Sequence, residues 1–304
     1  MASWFEQFDT VCTQKLAGLK ILHDEPMSAH TTFRIGGPAR RMACPATVTE
    51  LCALLAVVEE EGFPYLVLGN GSNLLAADDG IDKLVIHTGA LDEMERREGN
   101  TLYAASGVSL ARLATFARKE HLTGLEFAHG IPGSLGGAVC MNAGAYGGEM
   151  CQVITSVTAW IPGRGVCELS LDELELRYRH SWFSDHEGTV LAATLRLTEG
   201  REEEIRALME DLIRRRKEKQ PLEYPSAGST FKRPEGHFAG ALIEQCGLKG
   251  VSVGGAQVSE KHAGFVINTG GATCADVLAL IEKIQRTVLA ETGVSLEPEI
   301  KVTR

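Results

Sequence analysis

Gly130-Ile131-Pro132-Gly133-Ser134-Leu135-Gly136-Gly137-Ala138-Val139-Cys140-Met141-Asn142-Ala143-Gly144-Ala145-Tyr146-Gly147-Gly148 places seven glycines in nineteen residues. Average usage of about 7% would give one or two. Glycine offers no side chain to pack and loses more entropy than any other residue when ordered, so this density implies backbone brought close to something flat or charged. The alternative is a flexible linker. Linkers are polar, however, and this stretch interleaves Ile131, Leu135, Val139 and Met141.

Upstream, Gly69-Asn70-Gly71-Ser72-Asn73 follows directly on Tyr65-Leu66-Val67-Leu68, which reads as a buried strand. Two glycines free to take positive φ and closely spaced N–H groups are what a phosphate cradle requires, and also what an ordinary strand-end turn contains. The specific templates fail. No Gly-Lys-Ser/Thr follows, and Leu74 stands where a dinucleotide fold has its third glycine. Two such stretches in one chain imply a large phosphate-bearing ligand lying between two lobes.

Around them the chain mixes helix and strand signals. Thr47-Val48-Thr49-Glu50 has capping-box spacing before an apolar helix that ends at Gly62, and Ser109 caps a helix from Leu110 to about Glu120 with Leu110, Leu113, Ala114 and Ala117 on one face. Val153–Ile161, Val166–Leu169 and Val190–Leu197 read as largely antiparallel strands. Arg201–Lys219 is the clearest helix, with Ile205, Leu208, Met209, Leu212 and Ile213 on its apolar stripe, and it marks a domain boundary. Beyond Pro221 come a short helix near Ala239–Cys246, strands at Val251–Val253 and Gly264–Ile267, a long helix from about Ala275 to Thr292 between Thr273 and Gly293, and a closing strand, Leu296–Val302.

Composition narrows the function classes. The 304 residues are 44% hydrophobic and 23% charged, as in globular proteins, and the net charge of −10 argues against nucleic acid as a partner. The longest apolar run, Leu51–Val58, is too short to span a bilayer, and the opening Met1-Ala2-Ser3-Trp4-Phe5-Glu6 lacks a basic leader segment, so a cytoplasmic protein with no membrane partner is expected. Eight cysteines (12, 44, 52, 140, 151, 167, 246, 274) form no CxxC pair and the nine histidines no HExxH motif, so no metal site is expected.

Thr32-Phe33-Arg34-Ile35-Gly36-Gly37, Leu68–Leu75, Gly130–Gly148, Tyr178-Arg179-His180-Ser181, Ala227-Gly228-Ser229-Thr230-Phe231-Lys232 and Leu296-Glu297-Pro298-Glu299 occur in an order that resembles the UDP-N-acetylenolpyruvoylglucosamine reductase (MurB) family over residues 20 to 304. The resemblance implies an α+β fold: a two-lobed FAD-binding domain of the vanillyl-alcohol-oxidase (PCMH) type over 30–200 (lobes about 30–88 and 89–200), a smaller substrate-binding domain over 215–296, and a C-terminal strand, 297–304, returning toward the FAD domain. It implies noncovalent FAD, held by Gly69, Asn70, Gly71, Ser72 and Asn73 around the pyrophosphate and by Gly133, Ser134, Gly136, Gly137, Asn142 and Ala143 along the flavin side. NADPH is the implied co-substrate and UDP-N-acetylglucosamine enolpyruvate the implied substrate, reduced to UDP-N-acetylmuramate for peptidoglycan.

Hydride addition to an enolpyruvyl group leaves enolate charge that must be held until a proton arrives. By the resemblance Arg179 holds it, Ser229 donates the proton and Glu299 helps polarise the carboxyl group. A guanidinium suits the first role, since it grips a carboxylate bidentately and never loses its charge. Lys219, Lys232 and Tyr178 are candidates for contact with the substrate. Only fifty residues separate Arg179 from Ser229, which resembles the subclass without a tyrosine-bearing lid.

Overall fold

A computed structural model describes residues 3–303. Among them are seven α-helices: α1 (Trp4–Lys15), α2 (Val48–Glu61), α3 (Leu110–Lys119), α4 (Leu135–Cys140), α5 (Glu202–Lys219), α6 (Ala239–Gln245) and α7 (Cys274–Thr292). The chain forms two compact units. The first comprises the described residues up to His23 together with Arg41–Asn70 and Lys83–Arg215; the second comprises Asp24–Arg40, Gly71–Asp82 and the chain from Arg216 on. The two units are interleaved along the chain.

Local chemistry explains the helix ends. In α2 Thr47 Oγ1 accepts from Glu50 N at 3.1 Å, and the chain leaves through Gly62 at φ 68°. The Glu50 carboxylate accepts from Ala46 N at 2.8 Å, one residue short of the reciprocal bond that a capping box makes. Ser109 caps α3 through Arg112 N, and the expected face of Leu110, Leu113, Ala114 and Ala117 is buried. Thr273 and Asp276 form a full capping box on α7, whose first turn also donates from Cys274 N and Ala275 N to the Asp78 carboxylate at 2.7 and 3.1 Å. Caps of this kind contribute about 1 kcal/mol each. Helix α1, which the sequence pattern does not announce, is started by a Ser3–Glu6 capping box and pinned by the bidentate pair of Asp9 with the buried Arg41.

The first unit holds two cores. One packs α3, α4 and the start of α5 on a five-stranded antiparallel sheet in the order Gly165–Ser170, Ile154–Ile161, Thr189–Arg196, Thr101–Ala105, Met94–Arg97. The other gathers Phe8, Cys12, Leu51, Leu54, Leu55, Leu84 and Ile86 around α2 and the parallel pair Tyr65–Leu68 with Ile81–His87. Only Ile205 and Met209 of the α5 stripe are buried, and Leu208 is 46% exposed, because the core reaches only the first half of that helix. The second unit packs α6 and α7 on the three-stranded antiparallel sheet Ser252–Val253, Ala256–Val258 and Val266–Asn268. Its closing strand is shorter than expected. Lys301–Thr303 pairs in parallel with Leu74–Ala76, while the residues around Pro298 bridge to Phe231 instead. The fold is α+β, and among the described residues no helix is long and apolar enough to cross a membrane.

Candidate active site

In the first unit the two glycine-rich stretches meet. Asn70 Nδ2 donates to Pro132 O at 3.2 Å, and a Cβ on Gly69 would collide with the Ser134 hydroxyl. Several glycines that the sequence pattern gives to a ligand are thus required by the protein's own packing. Gly136 lies against Ser106, with 3.0 Å from a Cβ position to Ser106 Cβ, and a Cβ on Gly144 would come within 2.7 Å of Gly148 O. A Cβ on Gly148 would strike the Phe127 ring. Gly137 differs: a Cβ there would meet only Ser134 Oγ, at 3.6 Å. Ser134 itself makes no side-chain cap on α4.

Asn142 and Ala143 are committed to the protein. Ala143 N donates to Ala138 O at 2.8 Å, and its carbonyl accepts from Met150 N at 3.0 Å. Asn142 is 1% exposed at φ 39°, and its side chain makes three hydrogen bonds within the first unit.

Arg179 stands in a tight turn. Arg177 and His180 exchange both backbone hydrogen bonds at 3.1 Å, leaving Tyr178 and Arg179 at the corner. Arg179 takes φ 54°, which the third position of a type II turn requires and which usually calls for Gly or Asn. Its guanidinium lies 5.2 Å from the Tyr178 ring centroid and donates to Gly144 O at 3.3 Å. The side chain is half-buried.

The second unit assembles the other motifs. Asn73 Nδ2 donates to Glu299 O at 3.1 Å and Asn73 O accepts from Lys301 N at 2.9 Å, so the end of the Gly69–Asn73 loop is tied to the C-terminal glutamate. Glu299 N in turn donates to Thr230 O at 2.8 Å, beside Ser229. Gly71, at φ 57°, has no room for a Cβ against His30 O, and Thr32 Oγ1 donates to Ser226 O at 2.7 Å. Ser72 is half-buried and Ser229 is exposed, while Gly228 at φ 77° has open space beside it.

Thr230, which lies in a quoted motif but carries no role there, holds this loop. It is 2% exposed, accepts from Val266 N at 2.9 Å through its hydroxyl, and donates its own N–H to Gly264 O at 2.9 Å. The signal available was its place inside Ala227–Lys232. Lys232 has its ammonium 2.5 Å from Glu297, which places a carboxylate on the cation meant for a diphosphate. Glu297 points to solvent and Glu299 is half-buried; two residues apart, they would share a face in a regular strand, so the difference belongs to the irregular chain around Pro298 that precedes the strand Lys301–Thr303. Lys219 is exposed at the C-terminal end of α5, where a cation complements the helix dipole.

His262 links this loop to pH. Its Nδ1 accepts from Gly264 N at 3.1 Å, the residue whose carbonyl holds Thr230 N, and burial pushes its pKa below the ordinary 6.5. The folded state therefore takes up the proton less readily than the unfolded chain. Its contribution is complete above the unfolded value and is lost as pH falls through the folded one. Urea unfolding followed between about pH 8 and 5 should show stability falling on the acid side, and less steeply in His262→Gln.

Comparison with known proteins accounts for both halves. Residues 39–170 match the model of an FAD binding domain, and residues 220–303 match the model of the UDP-N-acetylenolpyruvoylglucosamine reductase C-terminal domain. The UDP-N-acetylenolpyruvoylglucosamine reductase of Caldanaerobacter subterraneus subsp. tengcongensis is 51% identical over 283 residues, 93% of either chain. That of Agathobacter rectalis is 50% identical over 302 residues, 95% of this chain and 96% of the relative. The crystal structure of the same reductase (MurB) from Thermus caldophilus superposes with a TM-score of 0.79 at 36% identity, covering 94% of this chain and 99% of that one. Half-identical over nearly its full length, with its glycine stretches inside the matched cofactor domain and Ser229 and Glu299 inside the matched C-terminal domain, the chain belongs to the UDP-N-acetylenolpyruvoylglucosamine reductase family and is an FAD-dependent oxidoreductase.

Proposed function

We propose that the protein reduces UDP-N-acetylglucosamine enolpyruvate to UDP-N-acetylmuramate with NADPH as reductant, and that Arg179, Ser229 and Glu299 carry the chemistry on the substrate. The observation that carries this reading is the join of Glu299 N to Thr230 O, which puts a carboxylate-bearing residue next to the serine from a segment far away in the chain.

The residues fit FAD where the glycine packing leaves room. Gly137 has its backbone face open apart from Ser134 Oγ, and the Ser134 hydroxyl is not used as a helix cap, so both can face a planar or phosphate-bearing group. Gly69, Asn70, Gly71, Ser72, Asn73 and Gly133 would hold it through backbone and side-chain donors of the two loops, whereas Gly136 N already donates to Ser106 O at 2.8 Å. When bound, FAD accepts reducing equivalents from NADPH and supplies hydride to the terminal enolpyruvyl carbon.

Arg179 then binds the substrate carboxylate and stabilises the charge that develops there, an interaction stronger in the transition state than in the ground state. Ser229 Oγ delivers the proton to the carbon bearing the carboxylate. A serine hydroxyl is a weak acid, and it serves because the carbanion is a strong base and the loop fixes the approach. Glu299 shares a proton with the substrate carboxyl, which relieves the repulsion between two carboxylates. No Walker or dinucleotide template stands elsewhere in the sequence, which supports NADPH and substrate using one pocket in turn.

Visible absorption under nitrogen tests the proposal. Flavin colour should bleach on adding one equivalent of NADPH and return only with UDP-N-acetylglucosamine enolpyruvate. A flavin that bleaches and then ignores this sugar would overturn the substrate assignment.

A further inference from the structure

The Arg179 turn is fastened to the segment that follows α4 at three points within the first unit. Ser181 Oγ donates to Cys140 O at 2.8 Å, Asn142 Nδ2 donates to Arg177 O at 3.2 Å, and Arg179 Nη2 donates to Gly144 O at 3.3 Å. Ser181 is fully buried and Asn142 is 1% exposed. The other Asn142 bonds anchor it from beneath: Nδ2 donates to Glu149 Oε2 at 3.1 Å, and Oδ1 accepts from Cys151 N at 2.9 Å. Both amide protons and the amide oxygen are therefore engaged inside the protein, so the side chain has no proton left for a flavin.

We propose that Asn142 is a positioning residue for the reduction of the enolpyruvyl group, acting through the backbone of the turn that carries Arg179. This rests on the role of Arg179 proposed above. The physical case is that Arg179 sits at φ 54°, a conformation costing a non-glycine residue about 1–2 kcal/mol, so the turn keeps that geometry only if its surroundings impose it. Asn142 offsets part of that cost by supplying a buried donor to the Arg177 carbonyl, the acceptor at the first position of the turn. It takes positive φ itself at 39°, which asparagine tolerates better than other side chains, so the residue type is explained by its backbone as well as by its amide.

The test compares the half-reactions in wild type, Asn142→Ala, the double variant Asn142→Asp/Glu149→Gln, and Arg179→Ala. In the double variant the amide introduced at position 149 can donate to the carboxylate introduced at position 142. That hydrogen bond returns with its direction reversed, the acceptor for Cys151 N is kept and the local charge is unchanged. The donor to Arg177 O is not restored. Single-turnover reoxidation by the enolpyruvyl sugar should fall about 10²-fold in Asn142→Ala, the scale of a misplacement of about 1 Å, and remain low in the double variant even though that variant folds and binds FAD. The loss falls on kcat of this step rather than on FAD affinity. Full-speed reoxidation in the double variant would overturn the inference, as would an Asn142→Ala protein whose defect is weakened FAD binding. If Arg179→Ala reoxidises at the wild-type rate, it is the reading of Arg179 that fails.

Discussion

Replacing Ser229 by Ala slows reoxidation of the flavin by UDP-N-acetylglucosamine enolpyruvate about 10²- to 10⁴-fold, the range for losing a positioned general acid, and leaves bleaching by NADPH intact. The change is confined to the chemistry because the loop does not depend on the hydroxyl. Ala227 is buried on one side, and Thr230 on the other holds Gly264 O, Val266 N and Glu299 N, so the backbone at 229 is fixed from both ends. Ser229 is exposed, so truncation opens no closed cavity. Ser229→Cys, which keeps a protic group, should recover part of the rate. Stopped-flow absorbance resolves the two half-reactions, and wild-type reoxidation in Ser229→Ala would remove the serine from the mechanism.

How much of this was legible in the sequence depends on how local each feature is. Thr47, Ser109, Thr273, Gly62 and Gly293 mark helix ends by their own chemistry, and the structure places caps at each of them. The strands around Ile154–Ile161 were legible from their β-branched composition. Pairings between distant segments were not, because nothing in Leu74–Ala76 names Lys301–Thr303 as its partner. The same limit explains the interleaved units.

The glycines show a subtler failure. A glycine records that a Cβ is not tolerated and is silent on what occupies the space. Gly69, Gly71, Gly136, Gly144 and Gly148 make room for Ser134, His30, Ser106, Glu149 and Phe127, all parts of the protein itself. Density alone gives all of them to a ligand, and only backbone geometry separates Gly137 from the rest. Asn142 is ambiguous in sequence for a related reason: its residue type fits a cofactor contact and a backbone clamp equally well, and its three internal hydrogen bonds decide for the clamp.

Arg179→Gly should separate stability from activity in opposite directions. Glycine adopts φ 54° without the Cβ penalty that arginine bears there, a relief of about 1–2 kcal/mol, against which the more flexible unfolded chain costs about 0.5–1 kcal/mol. The lost contacts include a 3.3 Å hydrogen bond to Gly144 O and a guanidinium 5.2 Å from the Tyr178 ring, each a weak interaction on a half-buried side chain. Chemical unfolding should therefore report a variant at least as stable as wild type. The reaction responds otherwise: with no cation on the substrate carboxylate, reoxidation by the enolpyruvyl sugar falls about 10²- to 10³-fold, the cost of removing one preorganised donor to developing charge. Arginine at a position whose backbone favours glycine is consistent with a head group needed where the turn delivers it. A large loss of stability together with undiminished reoxidation would reverse that inference and make Arg179 a structural residue.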